Sequence, residues 1–466
     1  MFKQLAVCIC ICISSSPLFA QVQAYKIQKL AQYNNPDLPK VDGTDIWNDI
    51  TGWHDSTNGR EYIICGTTDS IYFFDISIPT QMKLVQVKSG KSSFVRNRDY
   101  ETYSHYAYCV SDQGFGDGQL QIFDLSYLPD SVHEVYSSNV LGKFTHTISI
   151  DPESKRLYMC MNSKPSGFSA MDILGLNNPE QPELLAKLEV PSKPNGNPIF
   201  NKVHEMYARH DTVYLSCEEA GLFIFDLTNL NNQKLLTSIT SYPDQGYNHS
   251  SWLDESGRYL MFTDENMGLD IKIFDLKNFS EPQFVSQFNS NQLAMPHNAI
   301  WVGDFAYVSS YHDGVRIYNI KDPSNPQMAA WYDTHFEVPE VYGGYKGCWG
   351  IYPFLPSKLV LASDLTNGIF VLQVDSDLVG NSEVESNSNG FTIYPNPVKE
   401  SFMIQSGIQN QGEIKIEIMN PLGEKELELT QPIEQVVQVP TLKPGIHFIV
   451  IYQGNKRSIK KLIKSE

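Results

Sequence analysis

The 466-residue sequence has few basic residues and few long apolar runs. It contains 35 Lys and Arg residues against 53 Asp and Glu residues, and its formal net charge is -18 at pH 7. A chain this acidic repels phosphate groups, so we expect no nucleic-acid partner. Beyond residue 20, no apolar stretch reaches the roughly 20 residues that a membrane-spanning helix needs. The sequence therefore predicts no transmembrane segment.

Cysteine is also scarce outside the N-terminal region. Three of the eight cysteines lie within the first 20 residues, and the other five are Cys65, Cys109, Cys160, Cys217 and Cys348. An odd number of cysteines cannot form a closed disulfide framework. Four of the five occupy the same position in successive apolar segments, where a free thiol packs as a small hydrophobic side chain. We therefore predict buried free thiols rather than disulfides or metal ligands.

Helical periodicity and common hydrolase motifs are missing as well. Short alternating apolar segments bounded by Gly, Pro, Asn and Asp run along the chain, which is typical of strands and hairpins. Neither a G-x-S-x-G elbow nor an H-E-x-x-H motif occurs. Their absence favours a binding protein and does not decide whether the chain is an enzyme.

Residues 1–20 have the features of a signal peptide. Lys3 precedes a short apolar run at 5–13, and small residues follow up to Gln21. A positive, then apolar, then small-residue segment is typical of a secretory leader, and this apolar run is too short for a membrane span. The sequence predicts export.

One short segment recurs seven times. Its clearest copy, Gly221–Leu227, is an apolar and aromatic run that ends in an Asp where the chain turns. The other copies are Ile71–Ile76, Leu120–Leu125, Ser169–Ile173, Asp270–Leu276, Gly314–Ile320 and Gly368–Val374. Successive copies lie about 44 to 54 residues apart, which is the length of a β-propeller blade.

Each repeat predicts four antiparallel strands, with the recurring segment as the third, so the sequence predicts an all-β, seven-bladed propeller over residues 21–375. The last repeat has no fourth strand after Gly368–Val374. Tyr25–Tyr33, near the start of the chain, is similar to the fourth strands of other repeats. Pairing these two segments would close the ring and remove exposed sheet edges.

A second module follows the repeats. Residues 376–390 are rich in Ser, Asn, Asp and Gly and predict a linker, and residues 391–466 predict a small β-sandwich. The marks of this module are Tyr394, Pro395, Asn396 and Pro397, the pair Pro444 and Gly445, and a Lys-rich end. With these marks it resembles the type A sorting domain of the type IX secretion system of Bacteroidetes. His447 departs from that pattern, because an aromatic residue is commoner at its position.

The resemblance to sorting domains implies a destination. Such domains direct a cargo across the outer membrane, are usually removed, and often leave the cargo attached to surface lipopolysaccharide. The implied partners are the type IX secretion machinery and its sortase. The implied location is the cell surface or the extracellular space.

The repeat region resembles the LVIVD-repeat, or choice-of-anchor B, family. The I-[FY]-D-[IL] strands carry the resemblance, together with Pro296–Val302 and Tyr311–Arg316. That family is predicted to be propeller-shaped, has no assigned chemistry and occurs with varied surface anchors. The resemblance therefore implies a location more than an activity.

Polar residues recur where the first strand of each predicted blade begins. First strands line the channel of a propeller and start at one rim, and the turns between second and third strands return to that rim. The candidate ligand-binding residues are Asp49, Asp99, His146, His204, Glu218, His249, Asp264, His297 and Asp364. One interpretation is a divalent metal bound by the four histidines at the channel mouth. The alternative is structural: each histidine bonds a turn carboxylate and fixes its blade, and repetition in most blades favours this interpretation.

Two functions follow from these observations. The first is a surface-displayed module that binds an extracellular protein, a glycan or a small polar ligand. The second is a metal-assisted hydrolase or lyase that uses the histidine rim. Large aromatic residues such as Trp252 are interpreted as blade packing rather than as ligand contacts. The sequence does not name the ligand or the cofactor.

Overall fold

The structure, a computed structural model, describes residues 23–376 except 338–340, residue 378, and residues 391–465 except 397, 407–412, 421–424, 433–434 and 454–455. The predicted signal peptide and nearly all of the predicted linker lie outside the described residues. The chain divides into two compact units, with the boundary between Asp375 and Ser376.

Strands joined by turns form the first unit. The strands are β1 (Ala24–Tyr25), β2 (Ile27–Tyr33), β3 (Trp47–Asp55), β4 (Arg60–Thr67), β5 (Ser70–Asp75), β6 (Lys83–Ser89), β7 (Ser92–Ser93), β8 (Arg98–Tyr103), β9 (Tyr106–Ser111), β10 (Phe115–Gly116), β11 (Leu120–Asp124), β12 (His133–Ser138), β13 (Ile148–Asp151), β14 (Arg156–Lys164), β15 (Gly167–Gly175), β16 (Glu183–Lys187), β17 (Glu205–Arg209), β18 (Thr212–Ser216), β19 (Leu222–Asp226), β20 (Lys234–Ile239), β21 (Asn248–Leu253), β22 (Tyr259–Asp264), β23 (Ile271–Asp275), β24 (Gln283–Phe288), β25 (Ala299–Val302), β26 (Phe305–Ser310), β27 (Gly314–Asn319), β28 (Gln327–Tyr332), β29 (Cys348–Tyr352), β30 (Leu359–Asp364) and β31 (Gly368–Val374). The described residues of both units contain no helix.

Within the described residues 24–374, seven antiparallel sheets of four or five strands hold most of these strands. In chain order they are sheet 1 (β3-β4-β5-β6), sheet 2 (β8-β9-β11-β12), sheet 3 (β13 to β16), sheet 4 (β17 to β20), sheet 5 (β21 to β24), sheet 6 (β25 to β28, then β1) and sheet 7 (β29-β30-β31-β2). Contacts between neighbouring sheets link β3, β8, β13, β17, β21 and β25 in turn, and β29 contacts both β26 and β3. The first strands therefore form a closed ring.

β2 joins the start of the chain to sheet 7. Ile27 lies opposite Val374 and Tyr33 opposite Ile369 in antiparallel register, which is the pairing that the sequence predicts. The ring of Tyr33 also packs on Phe74 of sheet 1, with centroids 4.8 Å apart. The strand therefore completes the last sheet and also contacts the first.

The Asp that ends the recurring segment turns the chain through a local hydrogen bond. The backbone N–H groups of Ser77, Ser126 and Thr228 each donate to the carboxylate two residues earlier, at 2.9 Å in each case. This Asx turn reverses the chain without help from distant residues. The repeated Asp therefore fixes where the third strand stops and the fourth begins.

Apolar side chains fill the space between neighbouring sheets. Six buried clusters of the described residues each combine residues from two adjacent sheets. Cys65 belongs to the cluster between sheets 7 and 1, and Cys109 to the cluster between sheets 1 and 2. All five cysteines beyond residue 20 are free and buried, so the prediction of free buried thiols is confirmed.

The second unit holds two sheets. Its strands are β32 (Phe391–Tyr394), β33 (Ser401–Ser406), β34 (Glu413–Met419), β35 (Lys425–Pro432), β36 (Val436–Gln438), β37 (Gly445–Gln453) and β38 (Lys456–Lys464). One sheet has the order β32-β33-β36 and the other β35-β34-β37-β38. Phe402 and Val437 of the first sheet share a buried cluster with Ile416 and Ile449 of the second.

Candidate binding channel

A cavity of about 710 Å³ lies inside the ring of first strands, and we call it the channel. Each of the seven sheets contributes residues of its first strand to the lining. The volume falls within the range of small-molecule sites in proteins. The polar lining residues used below are Asp49, Asp99, Glu101, Asp112, His146, His204, Glu205, His249, Glu265 and His297.

Irregular strand pairing directs residues near the start of several first strands into the channel. In sheet 5, Asn248 pairs with Asp264, but the next regular pair is Ser251 with Phe262, so His249 lies in a bulge. Sheet 1 has a similar shift between Trp47 and Ile50, which places Asp49 in a bulge. Bulges reorient side chains locally and are frequent beside functional sites.

The four histidines that the sequence singles out lie side by side in the channel, and we call them the imidazole row. Adjacent ring centroids are 4.2 Å apart for His146 and His204, 4.4 Å for His204 and His249, and 4.3 Å for His249 and His297. His204, His249 and His297 are buried. The repeat spacing therefore does bring these residues together.

The contacts of His146 indicate which ring nitrogens of His146 and His204 carry protons. His146 Nδ1 lies 2.8 Å from Asp112 Oδ2 and 3.1 Å from Asn97 Nδ2, and we assign a proton to Nδ1, from which it is donated to the carboxylate. Its Nε2 is then an acceptor and lies 2.8 Å from His204 Nε2, which donates. The remaining nitrogen, His204 Nδ1, is buried and has no hydrogen-bond partner among the described residues. Among the described residues, His146 is the one member of the row with a hydrogen bond to a turn carboxylate, whereas the structural interpretation expects such a bond for all four histidines.

Burial keeps three rings of the imidazole row neutral. It lowers the pKa values of His204 and His249 well below the ordinary value, and neighbouring imidazoles add to the effect. It also lowers the pKa of His297 to about 3, while His297 Nδ1 lies 2.7 Å from the carbonyl oxygen of Trp349. Neutral imidazoles keep a lone pair that can bind a cation.

Six carboxyl groups line the same channel. Burial raises the pKa of Glu101 to about 8 and that of Glu265 to about 7. Burial, together with the charge of Asp99, also raises the pKa values of Asp49 and Glu205 well above the ordinary range. The protein thus holds acidic groups where they resist ionisation, and a cation in the channel would relieve that cost.

Three side chains can hold a metal ion. A ring nitrogen of His204, a ring nitrogen of His249 and a carboxylate oxygen of Glu265 all lie within 4.8 Å of one another. His249 Nε2 and Glu265 Oε2 are 3.8 Å apart, and Tyr311 Oη donates to the other Glu265 oxygen. The repeat pattern predicts both histidines as ligands but not Glu265, which directly follows the predicted Asp264.

Aromatic rings also line the channel. Trp252 packs on Tyr207 at 4.7 Å and on Phe354 at 5.5 Å between centroids, and Phe354 contacts Tyr352 at 5.4 Å. All four residues belong to the lining. The interpretation of Trp252 as blade packing alone is therefore incomplete, because its ring also faces the cavity.

Three predicted rim residues lie outside the lining. Asp264 is fully buried and accepts a hydrogen bond from Lys272 at 2.7 Å, and Asp364 accepts one from Thr334 at 2.8 Å. Glu218 is partly buried and accepts a hydrogen bond from Tyr247 at 3.0 Å. Each of the three carboxylates already has protein partners, so the structure does not bring them to the imidazole row.

The predicted sorting residues lie at strand ends of the second unit. Asn396 follows β32, and its Oδ1 accepts a hydrogen bond from the backbone of Ile463 at 2.8 Å. Tyr394 ends β32, Pro395 follows it, Pro444 precedes β37, and Gly445 begins that strand with a φ of 141°. Pro397 lies outside the described residues. His447, the unusual residue of this motif, contacts Glu426 and the carbonyl of Lys443.

The closed ring of antiparallel sheets around a channel defines the first unit as a β-propeller. It is similar to the β-propeller domain of Cps50 (Swd1) from Myceliophteria thermophila, with a TM-score of 0.50 and 12% sequence identity. The similarity covers 71% of this chain and 98% of that chain. At this identity the likeness shows the fold alone.

The second unit carries the address. Residues 392–465 match the family model of the secretion system C-terminal sorting domain. The protein is accordingly exported by the type IX secretion system to the cell surface or the extracellular space, and the secretion machinery is a partner. No curated protein matches the chain. The described residues include no helix with the length and hydropathy of a membrane span.

Proposed function

We propose that this protein is a surface-displayed, seven-bladed β-propeller whose channel binds a small polar ligand with an amine group. Residues 1–20 would be its signal peptide, 21–375 the propeller, 376–390 a linker and 391–466 the sorting domain. The recurring third strands support membership of the LVIVD-repeat, or choice-of-anchor B, family. Surface attachment would follow from removal of the sorting domain by the sortase.

The observation that carries the proposal is the composition of the channel wall. Carboxyl groups such as Glu101 and Glu205 have pKa values raised by burial, so a positively charged group in the channel would favour their ionised forms. The rings of Tyr207, Trp252 and Phe354 offer faces on which an apolar or cationic group can pack. This combination suits a small amine better than an anion or a purely apolar molecule.

Saturation-transfer NMR on the chelator-treated full chain tests the proposal. The probes are glucosamine, spermidine and choline, with galactose as the uncharged comparison. We expect transfer to at least one amine, loss of that transfer in Trp252→Ala and Glu205→Gln, and no loss in Trp331→Ala, whose residue lies on β28 outside the channel lining. Transfer to none of the amines, or transfer unchanged by Trp252→Ala, would overturn the proposal.

A metal-assisted hydrolase or lyase is the second candidate. The grouping of His204, His249 and Glu265 favours it, because two imidazoles and one carboxylate are a frequent ligand set of catalytic zinc. Zinc-dependent hydrolysis of p-nitrophenyl acetate or phosphate that disappears in His204→Ala would support this candidate. The absence of turnover in zinc-loaded protein would remove it.

A further inference from the structure

The geometry points to a site for one divalent transition-metal ion of the zinc class, bound by His204, His249 and Glu265 at the imidazole row. This inference rests on the proposed function only in using the same channel. The three donor atoms lie within 4.8 Å of one another. Bonds of about 2.1 Å to a tetrahedral ion set donors roughly 3.4 Å apart, so side-chain movements of about 1 Å would close the site.

An unused lone pair supports the site independently of these distances. His204 Nε2 is engaged by His146, and the opposite nitrogen, Nδ1, has no hydrogen-bond partner among the described residues. Buried polar atoms without a partner are rare, because each one loses its bonds to water. An unprotonated imidazole nitrogen is a common ligand of transition-metal ions, so a metal ion would give this atom a partner.

A carboxylate lies behind His249, and another lies behind His204 through His146. Asp112 orients His146, which in turn orients His204 through the contact at 2.8 Å. Glu205 Oε2 lies 3.6 Å from His249 Nδ1, on the ring nitrogen opposite Nε2, which lies near Glu265. Carboxylates placed behind ligating histidines fix ring orientation and raise metal affinity.

The donor set selects the class of ion. Two imidazoles with one carboxylate favour zinc and its first-row neighbours over calcium or magnesium, which prefer oxygen ligands throughout. Three protein ligands leave one position open towards the channel, where water or the amine of a ligand could bind. The metal site would therefore lie beside the ligand cavity.

Isothermal titration of the chelator-treated full chain with ZnCl₂ tests the inference, with Co²⁺ absorption as a second readout. We expect one ion per chain, a tetrahedral Co²⁺ spectrum and a higher melting temperature with zinc. His204→Ala and Glu265→Gln should each weaken binding at least tenfold. His133→Ala should not, because His133 is exposed on β12 and stacks on Tyr127. Circular dichroism confirms that each variant is folded.

Two results would overturn the inference. One is folded wild-type protein that binds neither zinc nor cobalt. The other is binding that the His204 and Glu265 substitutions leave unchanged, which would place the ion elsewhere. Because the amine probes are tested on metal-free protein, amine binding without zinc binding rejects only the metal site, and zinc binding without amine binding rejects only the proposed ligand.

Discussion

His146 and His204, from neighbouring sheets, face each other through their Nε2 atoms at 2.8 Å. Only one proton can lie between the two facing nitrogens, and we assign it to His204, because Asp112 accepts the proton of His146 Nδ1 in this assignment. A carboxylate in a turn of sheet 2 thereby sets the protonation of a ring in sheet 4. Asp112 is a positioning residue in this account, since it acts through His146.

Asp112→Asn tests this relay. The amide can donate to His146 Nδ1, which would move the ring proton to Nε2 and disturb the contact with His204. We expect zinc affinity to fall about tenfold or more, in line with other substitutions behind metal ligands. Asp117→Asn is the matched control, because Asp117 is exposed and pairs only with Lys143 at 3.2 Å among the ion pairs of the described residues. Titration of both variants with ZnCl₂ provides the measurement. Equal zinc affinities for the two variants would contradict the relay.

Tyr33→Ala should weaken the joint between the first and last sheets. Tyr33 lies on β2 and packs on Trp47, Tyr72 and Phe74 of sheet 1. Removing a half-buried aromatic ring at this position should lower the free energy of unfolding by about 2 kcal/mol, measured by urea denaturation. Tyr127→Ala removes an exposed ring and should change it by less than about 0.5 kcal/mol. Similar losses for both variants would argue against a stabilising role for the joint.

Lys272→Ala should be far more costly than a surface lysine substitution. Lys272 and Asp264 are both fully buried, and Nζ donates to Oδ2 at 2.7 Å. Removing the lysine leaves a buried carboxylate without its partner, which costs about 3 to 5 kcal/mol. Lys321→Ala removes an exposed pair with Asp304 at 3.6 Å and should cost less than about 1 kcal/mol. Urea denaturation measures the free energy of unfolding of both variants. A small decrease for Lys272→Ala would mean that water reaches Asp264.

Glu101→Gln should stabilise the protein at alkaline pH. Burial raises the pKa of Glu101 to about 8 in the folded protein, above the value of about 4.3 expected in the unfolded chain. Between these values the unfolded state loses its proton first, so the contribution of Glu101 to stability falls as pH rises from about 4 to 8. We expect the free energy of unfolding of Glu101→Gln to exceed that of the wild type by at least about 1 kcal/mol at pH 8 and to equal it at pH 4.

The pH series for Glu101→Gln has its own control. Glu281 is exposed, so Glu281→Gln should follow the wild-type stability at both pH values. Denaturation curves at pH 4 and pH 8 provide the measurement. A gain from Glu101→Gln that is equal at the two pH values would show that packing, and not ionisation, is responsible.

A chain that ends at Asp375 should fold but fail to leave the cell. The contact boundary at this residue separates the propeller from the sorting unit. We expect the shortened chain to keep the melting temperature of the propeller and to accumulate in the periplasm of a host with a type IX system. A reporter protein with residues 1–20 fused to its start and residues 376–466 fused to its end should leave the cell, and cell fractionation measures both. Export of the shortened chain would show that the export signal does not lie in residues 376–466.

The sequence predicts those parts of the structure that repeat. Local chemistry sets the third strands and their Asx turns: an apolar run reads as a strand, and Asp226 turns the chain with its own side chain. The imidazole row was predictable because His146, His204, His249 and His297 occupy one position of the repeat, and a ring places equal positions together. The pairing of β2 with β31 followed from one missing strand.

What escaped prediction depends on departures from the repeat. Asp264 was expected at the rim, but it pairs with Lys272 inside a sheet, while its neighbour Glu265 reaches the channel. Asp264 is the last residue of β22 and Glu265 is the first residue after that strand, so an error of one position exchanges a structural carboxylate for a candidate ligand. The bulge at His249 is likewise invisible in residue types alone.

The clasp between β2 and β31 also sets the order in which the molecule can be completed. Gln32 donates a hydrogen bond to the carbonyl of Asn367, 335 residues further along the chain. Such contacts form late, because closing a long loop costs conformational entropy. During synthesis β2 remains unpaired until β31 has been made. A chain that ends before β31 would keep β2 as a free edge open to self-association. The same contact that closes the ring thus makes translation through β31 a condition for a non-aggregating product.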